Sequence, residues 1–167
     1  ARHRPALLEI VQACKDPSCL PRARDADGHS ALHLLALVPP CAASLQACAR
    51  LLGARAELDG RSKMGETPLL LAVRVAADCA GSKRRLLLVN ELLQQKASAE
   101  VADPANGETT LMECADLGDA ELCRLLLGAR ASPLATSHEG LTAQDVARQA
   151  GRAAVVKLLR AEVCDEA

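Results

Sequence analysis

The 167-residue sequence contains no Phe, Tyr or Trp. A surface that binds RNA by stacking bases, and an enzyme pocket lined without a single aromatic, are both unfavourable. The core must be built from Leu, Ala, Val and Cys, whose small side chains let helices approach closely. No apolar run nears the roughly 20 residues of a membrane span, so no direct membrane insertion is expected. No charged-then-apolar leader opens the sequence either. It starts at Ala1 rather than Met, which is compatible with an earlier targeting peptide. Excess charge is also missing. At a net charge of −1 no long-range attraction to nucleic acid or acidic lipid is expected. Arg2, Arg4, Lys15, Arg22 and Arg24 outnumber Glu9 and Asp16 near the start, and Glu162, Asp165 and Glu166 close the chain. That gradient reads as solvation of the two ends.

The motifs of catalysis and cofactor binding are missing too. There is no H-E-x-x-H, no phosphate-cradling Gly loop and no G-x-S-x-G. The eight cysteines include no C-x-x-C pair, and none of the four histidines lies at ligand spacing from them, so no metal is expected. Asp119 and Glu121 are paired carboxylates, but they open a helix, where acids complement the dipole. No cofactor and no enzymatic activity are expected.

What is present is a repeat. The phrase LLGARA occurs at Leu51–Ala56 and at Leu126–Ala131, with a looser copy, LLQQKA, at Leu92–Ala97. Ahead of these phrases, or opening a further copy, stand DADGHSALHLLA from Asp25, SKMGETPLLLA from Ser62, PANGETTLMECA from Pro104 and SHEGLTAQDVA from Ser137. Each has Gly, one residue, Ser or Thr, and then an apolar run at helical spacing. Gly28, Gly65, Gly107 and Gly140 supply the positive φ of a tight turn. Ser30, Thr67, Thr109 and Thr142 can accept backbone N–H groups as helix caps, and Pro68 falls at the first helical position, where proline is tolerated. Each unit reads turn, helix, loop, helix.

Gly-x-Thr-Pro-Leu followed by Ala, with Leu-Leu-x-x-(Gly)-Ala before the next turn, resembles the ankyrin repeat, whose period is about 33 residues. The resemblance covers Asp25 to about Arg160. It implies an all-α solenoid of stacked helix-turn-helix units joined by β-turns. The boundaries are an N-terminal half repeat over 1–24, supplied by PALLEIVQAC, then repeats over 25–61, 62–102 and 103–136. A capping repeat with an acidic tail fills 137–167, all within one domain. The two copies of LLGARA stand 75 residues apart, nine more than two periods. Eight of the nine fall in the loop around AADCAGSKRRL, and the ninth is an extra residue between Asp103 and Gly107. Four more lengthen LVPPCAAS in the unit before. All sit in connections, where added length costs least.

Several positions depart from the family pattern. Arg55, Lys96 and Arg130 stand where Gly is usual, so each must adopt left-handed geometry or end its helix differently. Only His33 keeps the family's helix-start histidine, where it makes a structural hydrogen bond, while Leu70, Met112 and Asp145 replace it elsewhere. Cys48 and Cys123 replace a core Val, and Cys114 a core Ala, as small fillers. Cys41 and Cys79 both lie in inserted loops, where a bridge between them is a minor alternative to free thiols. The run Lys83-Arg84-Arg85 reads as the solvated start of a helix, with an anionic partner as the lesser reading.

The resemblance implies a non-catalytic module that binds a protein through its concave face, using variable positions on the turns and the first helices. Carried onto this sequence, the contacts are Asp27 and His29; Arg61, Lys63, Met64, Glu66 and Arg74; Asn106, Glu108 and Asp116; and His138 and Glu139. The basic Arg61, Lys63 and Arg74 beside the adaptable Met64 point to a partner segment of acidic and apolar character. The alternative is an accessory subunit of a large assembly, docked through the inserted loops and the ends. The Ala/Arg-rich phrasing resembles ankyrin repeats of unicellular algae, for which that assembly would be an organellar or photosynthetic one. Either role suits a soluble intracellular protein, in the cytoplasm or in an organelle after removal of a targeting peptide.

Overall fold

The structure is a computed structural model that describes residues 24–38, 42–53, 56–78 and 86–165. The expected half repeat over 1–24, apart from Arg24, lies outside the described residues, as do Cys41, Cys79, the run Lys83-Arg84-Arg85 and Arg55. Among the described residues there are eight α-helices and no strand: α1 (Ala31–Ala36), α2 (Ala42–Gly53), α3 (Pro68–Asp78), α4 (Leu87–Gln94), α5 (Thr110–Leu117), α6 (Ala120–Gly128), α7 (Ala143–Gln149) and α8 (Ala153–Asp165). The chain divides into two compact units, residues 1–97 and 98–167.

In the first unit α1 packs on α2 and on α3, and α4 packs on α2 and α3. Helix α3 lies between neighbours, and Leu69, Leu70, Leu71, Ala72, Val73 and Ala76 are all buried. A helix apolar on nearly every side is stable only in such a position. The outer helices bury single stripes at helical spacing: Ser44, Ala47, Cys48 and Leu51 on α2, and Leu88, Val89 and Leu92 on α4. In the second unit α5 packs on α6 and α7, and α8 on α6 and α7. The buried stripes are Leu111, Met112, Cys114 and Ala115; Leu122, Cys123 and Leu126; Ala143 and Ala147; and Val155 and Leu159. Each buried Leu contributes about 2 kcal/mol. Cys48, Cys114 and Cys123 are wholly buried free thiols, the core fillers expected of them. Burial pushes the Cys48 thiol up to about 11.

The helix starts follow the caps read from the sequence. Thr67, Thr109 and Thr142 accept from the N–H of Leu70, Met112 and Asp145 at 3.2, 3.4 and 3.3 Å. Pro68 is the first residue of α3. Asp119 caps α6 by accepting from Glu121 and Leu122. Thr142 and Asp145 form a reciprocal box, with Asp145 Oδ2 accepting from the Thr142 N–H and hydroxyl.

The helix ends explain the recurring Leu-Leu phrase. Ala56, Ala97 and Ala131 donate their N–H to Leu51, Leu92 and Leu126, each at 3.0 Å. A bond of that span closes a Schellman end, whose next-to-last residue must be left-handed. Lys96 and Arg130 occupy that position with φ of 68° and 66°. The departure from Gly is thus absorbed by strain of about 1 kcal/mol per residue, not by a different helix ending.

Candidate interaction site

The turns before the first helices share one build. Asp25 and Ser62 donate their N–H to the carbonyl four residues on, and Gly28 and Gly65 donate back to them. Ser137 and Gly140 repeat the arrangement in the second unit. All four turn glycines are left-handed, at 80°, 84°, 73° and 76° for Gly28, Gly65, Gly107 and Gly140. The Asp103 turn carries the extra residue counted in the sequence. Asp103 N–H reaches Glu108 O, five residues on, and Gly107 N–H reaches Asp103 O, four back.

Side chains reinforce these loops in a way the sequence reading missed. Asp25 Oδ1 accepts from Asp27 and His29 N–H, and Ser62 Oγ accepts from Met64 and Glu66 N–H. Asp103 Oδ1 and Ser137 Oγ act alike on Ala105 and Leu141. The signal was present as an Asp or Ser just ahead of each glycine, residues known to bond the backbone two places on.

Successive tips within a unit are tied backbone to backbone. Lys63 N–H donates to Asp27 O at 2.9 Å, and His138 N–H donates to Asn106 O at 2.8 Å. A Cβ added to Gly28 would lie 3.0 Å from Lys63 N, and one added to Gly107 would lie 2.5 Å from His138 Cδ2. Close approach of neighbouring turns, beyond φ alone, therefore requires glycine at both places. Arginines clamp each unit from outside. Arg24 donates to Gly28 O, Arg61 O and Glu57 Oε2 at 2.9, 3.0 and 2.7 Å. Arg152 Nε donates to Asp116 O at 2.8 Å.

In the first unit the structure brings His29, Glu66 and Arg74 together. Arg74 pairs with Glu66 Oε1 at 2.7 Å. His29 Nδ1 stands 3.2 Å from Asp25 Oδ2, and its Nε2 3.9 Å from Glu66 Oε2. Asp27, Arg61, Lys63 and Met64 are exposed around this group. Asp25, Asp27 and His29 place ligand atoms within 4.8 Å of one another. The Asp25 carboxylate already holds two backbone N–H groups and His29, so the cluster is accounted for as turn structure.

Beneath this surface His33 is fully buried and joins two repeats. Its Nε2 lies 3.0 Å from Glu66 O, and its Nδ1 3.1 Å from Ser30 N. A carbonyl only accepts, so the proton sits on Nε2 and Nδ1 accepts from the Ser30 N–H. Burial pushes the His33 pKa below its ordinary value; His29 and Arg24 add to this, and the bond to Glu66 O partly opposes it.

In the second unit Asn106 is exposed, with its amide on Glu108 Oε2 at 2.7 Å and its Oδ1 accepting from Glu108 N–H. Asp116, His138 and Glu139 are exposed as well, whereas Glu108 is half-buried. The expected contact residues thus form two sets, a mixed-charge set about Met64 and an acidic set about Asn106. Among the described residues no helix is long and apolar enough to cross a membrane.

Comparison with known proteins agrees with this geometry. The family model described as ankyrin repeats (3 copies) matches residues 75–166. Tyrosine-protein kinase Shark of Drosophila melanogaster is 29% identical over 137 residues, covering 82% of this chain and 13% of that protein. The putative E3 ubiquitin-protein ligase XBAT34 of Arabidopsis thaliana is 32% identical over 109 residues, covering 65% of this chain and 27% of that protein. The chain thus spans less than a third of either relative.

Proposed function

The chain belongs to the ankyrin repeat family, and on that premise we propose that it is a non-catalytic module binding a protein partner through its turn tips and first helices. Ankyrin repeats are generally protein–protein interaction modules. The observation that carries the reading is the tying of neighbouring tips through Lys63–Asp27 and His138–Asn106. The backbone of such tips is already ordered, so a partner that docks there adds little backbone ordering cost. The exposed Asp27, Arg61, Lys63 and Met64 in one unit, and Asn106, Asp116, His138 and Glu139 in the other, are the contacts this supports. His29, Glu66, Arg74 and Glu108 lie partly beneath them and fix the charge pattern. Tyrosine-protein kinase and putative E3 ligase are the names of those two relatives as whole proteins, of which this chain spans 13% and 27%. The accessory-subunit reading depends on the inserted loops, whose centres at 39–41 and 79–85 lie outside the described residues.

Affinity capture from native extract with mass-spectrometric identification tests the proposal. Replacing Arg61, Lys63 and Arg74 together by Glu should abolish capture of the partner, while reversing Glu121 and Arg124 on the outer helix α6 should leave it intact. Equal capture by both variants would discard the tip surface as the binding site. Permanent co-elution with one large particle would favour the accessory-subunit role instead.

A further inference from the structure

Met64, a large apolar residue, occupies a tight turn, where small or polar residues are favoured, and is 72% exposed. The other exposed large hydrophobics among the described residues, Leu134, Leu87 and Leu117, reach 60%, 42% and 37%. The backbone beneath Met64 is fixed from several directions. Ser62, itself buried, accepts from Met64 and Glu66 N–H, donates its own N–H to Glu66 O, and Lys63 N–H is tied to Asp27 O. A large apolar side chain held in water on a rigid loop gains on desolvation without the cost of ordering the loop. A residue that breaks a local rule with no compensating contact in the fold marks a functional place.

The charge beside it selects the partner. Lys63 is exposed, its stem lies over Gly28, and its ammonium has no partner among the described residues. Arg61 is exposed on the other side of Ser62. The nearby Glu66 carboxylate is held by Arg74 at 2.7 Å and so does not neutralise Lys63.

Resting on the interaction-module reading, we propose that the Lys63–Met64 tip is the specificity-determining anchor for a protein segment in which a Leu, Ile or Met stands beside a carboxylate. The flexible thioether of Met64 adapts to the apolar side chain. Lys63 pairs with the carboxylate, and Arg61 adds to the local positive field. A basic segment meets like charge at the same place and is rejected. Asp27, exposed on the neighbouring tip, opposes the incoming acid, which gives the proposal a test of sign.

A displayed library of short randomised peptides, panned against the full chain, tests it. Enriched sequences should place Asp or Glu next to Leu, Ile or Met. A synthetic peptide of that kind should lose about tenfold in affinity on Lys63→Glu or Met64→Ser, and gain on Asp27→Lys. Circular dichroism of the variants should match that of the parent, since all three side chains are exposed. Enrichment of basic sequences, no enrichment at all, or binding indifferent to these substitutions overturns the inference. If binding is instead lost on Asp116→Lys or Glu139→Lys, the Met64 anchor is wrong and the module reading stands. Binding indifferent to every tip and first-helix substitution in both units overturns the module reading as well.

Discussion

The two units build the same turn-helix-helix element around different anchors. In the first, buried His33 reaches from Ser30 in one repeat to the Glu66 carbonyl in the next. In the second, Met112 takes that place and is equally buried, with no polar link. The first opens α3 with Pro68; the second opens α5 with Thr110, whose buried hydroxyl has no hydrogen-bond partner. Tip-to-tip backbone bonds and Schellman ends are common to both. What the repeat requires is therefore turn geometry and apolar volume, whereas the polar anchor is optional and makes each unit sensitive to different conditions.

Removing that anchor should show the difference most strongly. His33→Ala leaves the Glu66 carbonyl and the Ser30 N–H unpaired beside a cavity, and should destabilise the first unit by about 3 kcal/mol. Hydrogen exchange resolved by peptide should place the loss in residues 24–97 and spare the second unit. Acid should act the same way less severely. His33 has a folded pKa below its ordinary 6.5, so the unfolded chain takes up the proton first. The stability it contributes is complete above about pH 6.5 and declines as pH falls below that value. Protonated Nδ1 can no longer accept from Ser30. In the second unit the Thr142 hydroxyl and N–H hold Asp145 below its ordinary 3.8, with burial in partial opposition and Arg148 assisting. That contribution is present above 3.8 and is lost only as pH falls below it. Exchange measured from pH 7 downward should therefore loosen the first unit before the second.

Thr110→Pro should bring the second unit closer to the first. Thr109 already holds the extended backbone, φ −87° and ψ 163°, that a following proline demands. The change removes the unpaired hydroxyl and restricts the unfolded chain, so stability should rise by about 1 kcal/mol, measured by denaturant titration. Smallest of all, Lys96→Gly and Arg130→Gly should each shift stability by about 0.5 kcal/mol or less. Relief of left-handed strain is offset by greater freedom of the unfolded chain. Equal effects in both units would confirm that the helix end is one shared device; a clear difference would break that equivalence.

Most of the fold was legible in the sequence because it is local. Four glycines, their following Ser or Thr, and Pro68 dictate turns and helix starts through short-range geometry, and counting residues located the extra position between Asp103 and Gly107. The Leu-Leu phrase announced a helix end, but left open whether the residue in the glycine place would be left-handed, as Lys96 and Arg130 are, or would end its helix differently. The site was less legible. Arg74 was counted as one cation among three, but it pairs with Glu66 eight residues earlier, beyond the reach of neighbour rules on one helix. The Arg24 clamp joins residues 37 apart, and nothing in the local pattern singles that arginine out. Turn tips are read easily as positions, whereas their charge balance depends on which long side chains find each other after folding.

The wider loop at Asp103 has a consequence for design. Grafting a contact pattern from the Ser137 turn onto it residue by residue would miscount, because the chain between Asp103 and Gly107 offers one more side-chain position than its neighbour. A ligand that reads both turns must skip a tooth there, so this loop sets the phase of recognition along its own half of the molecule.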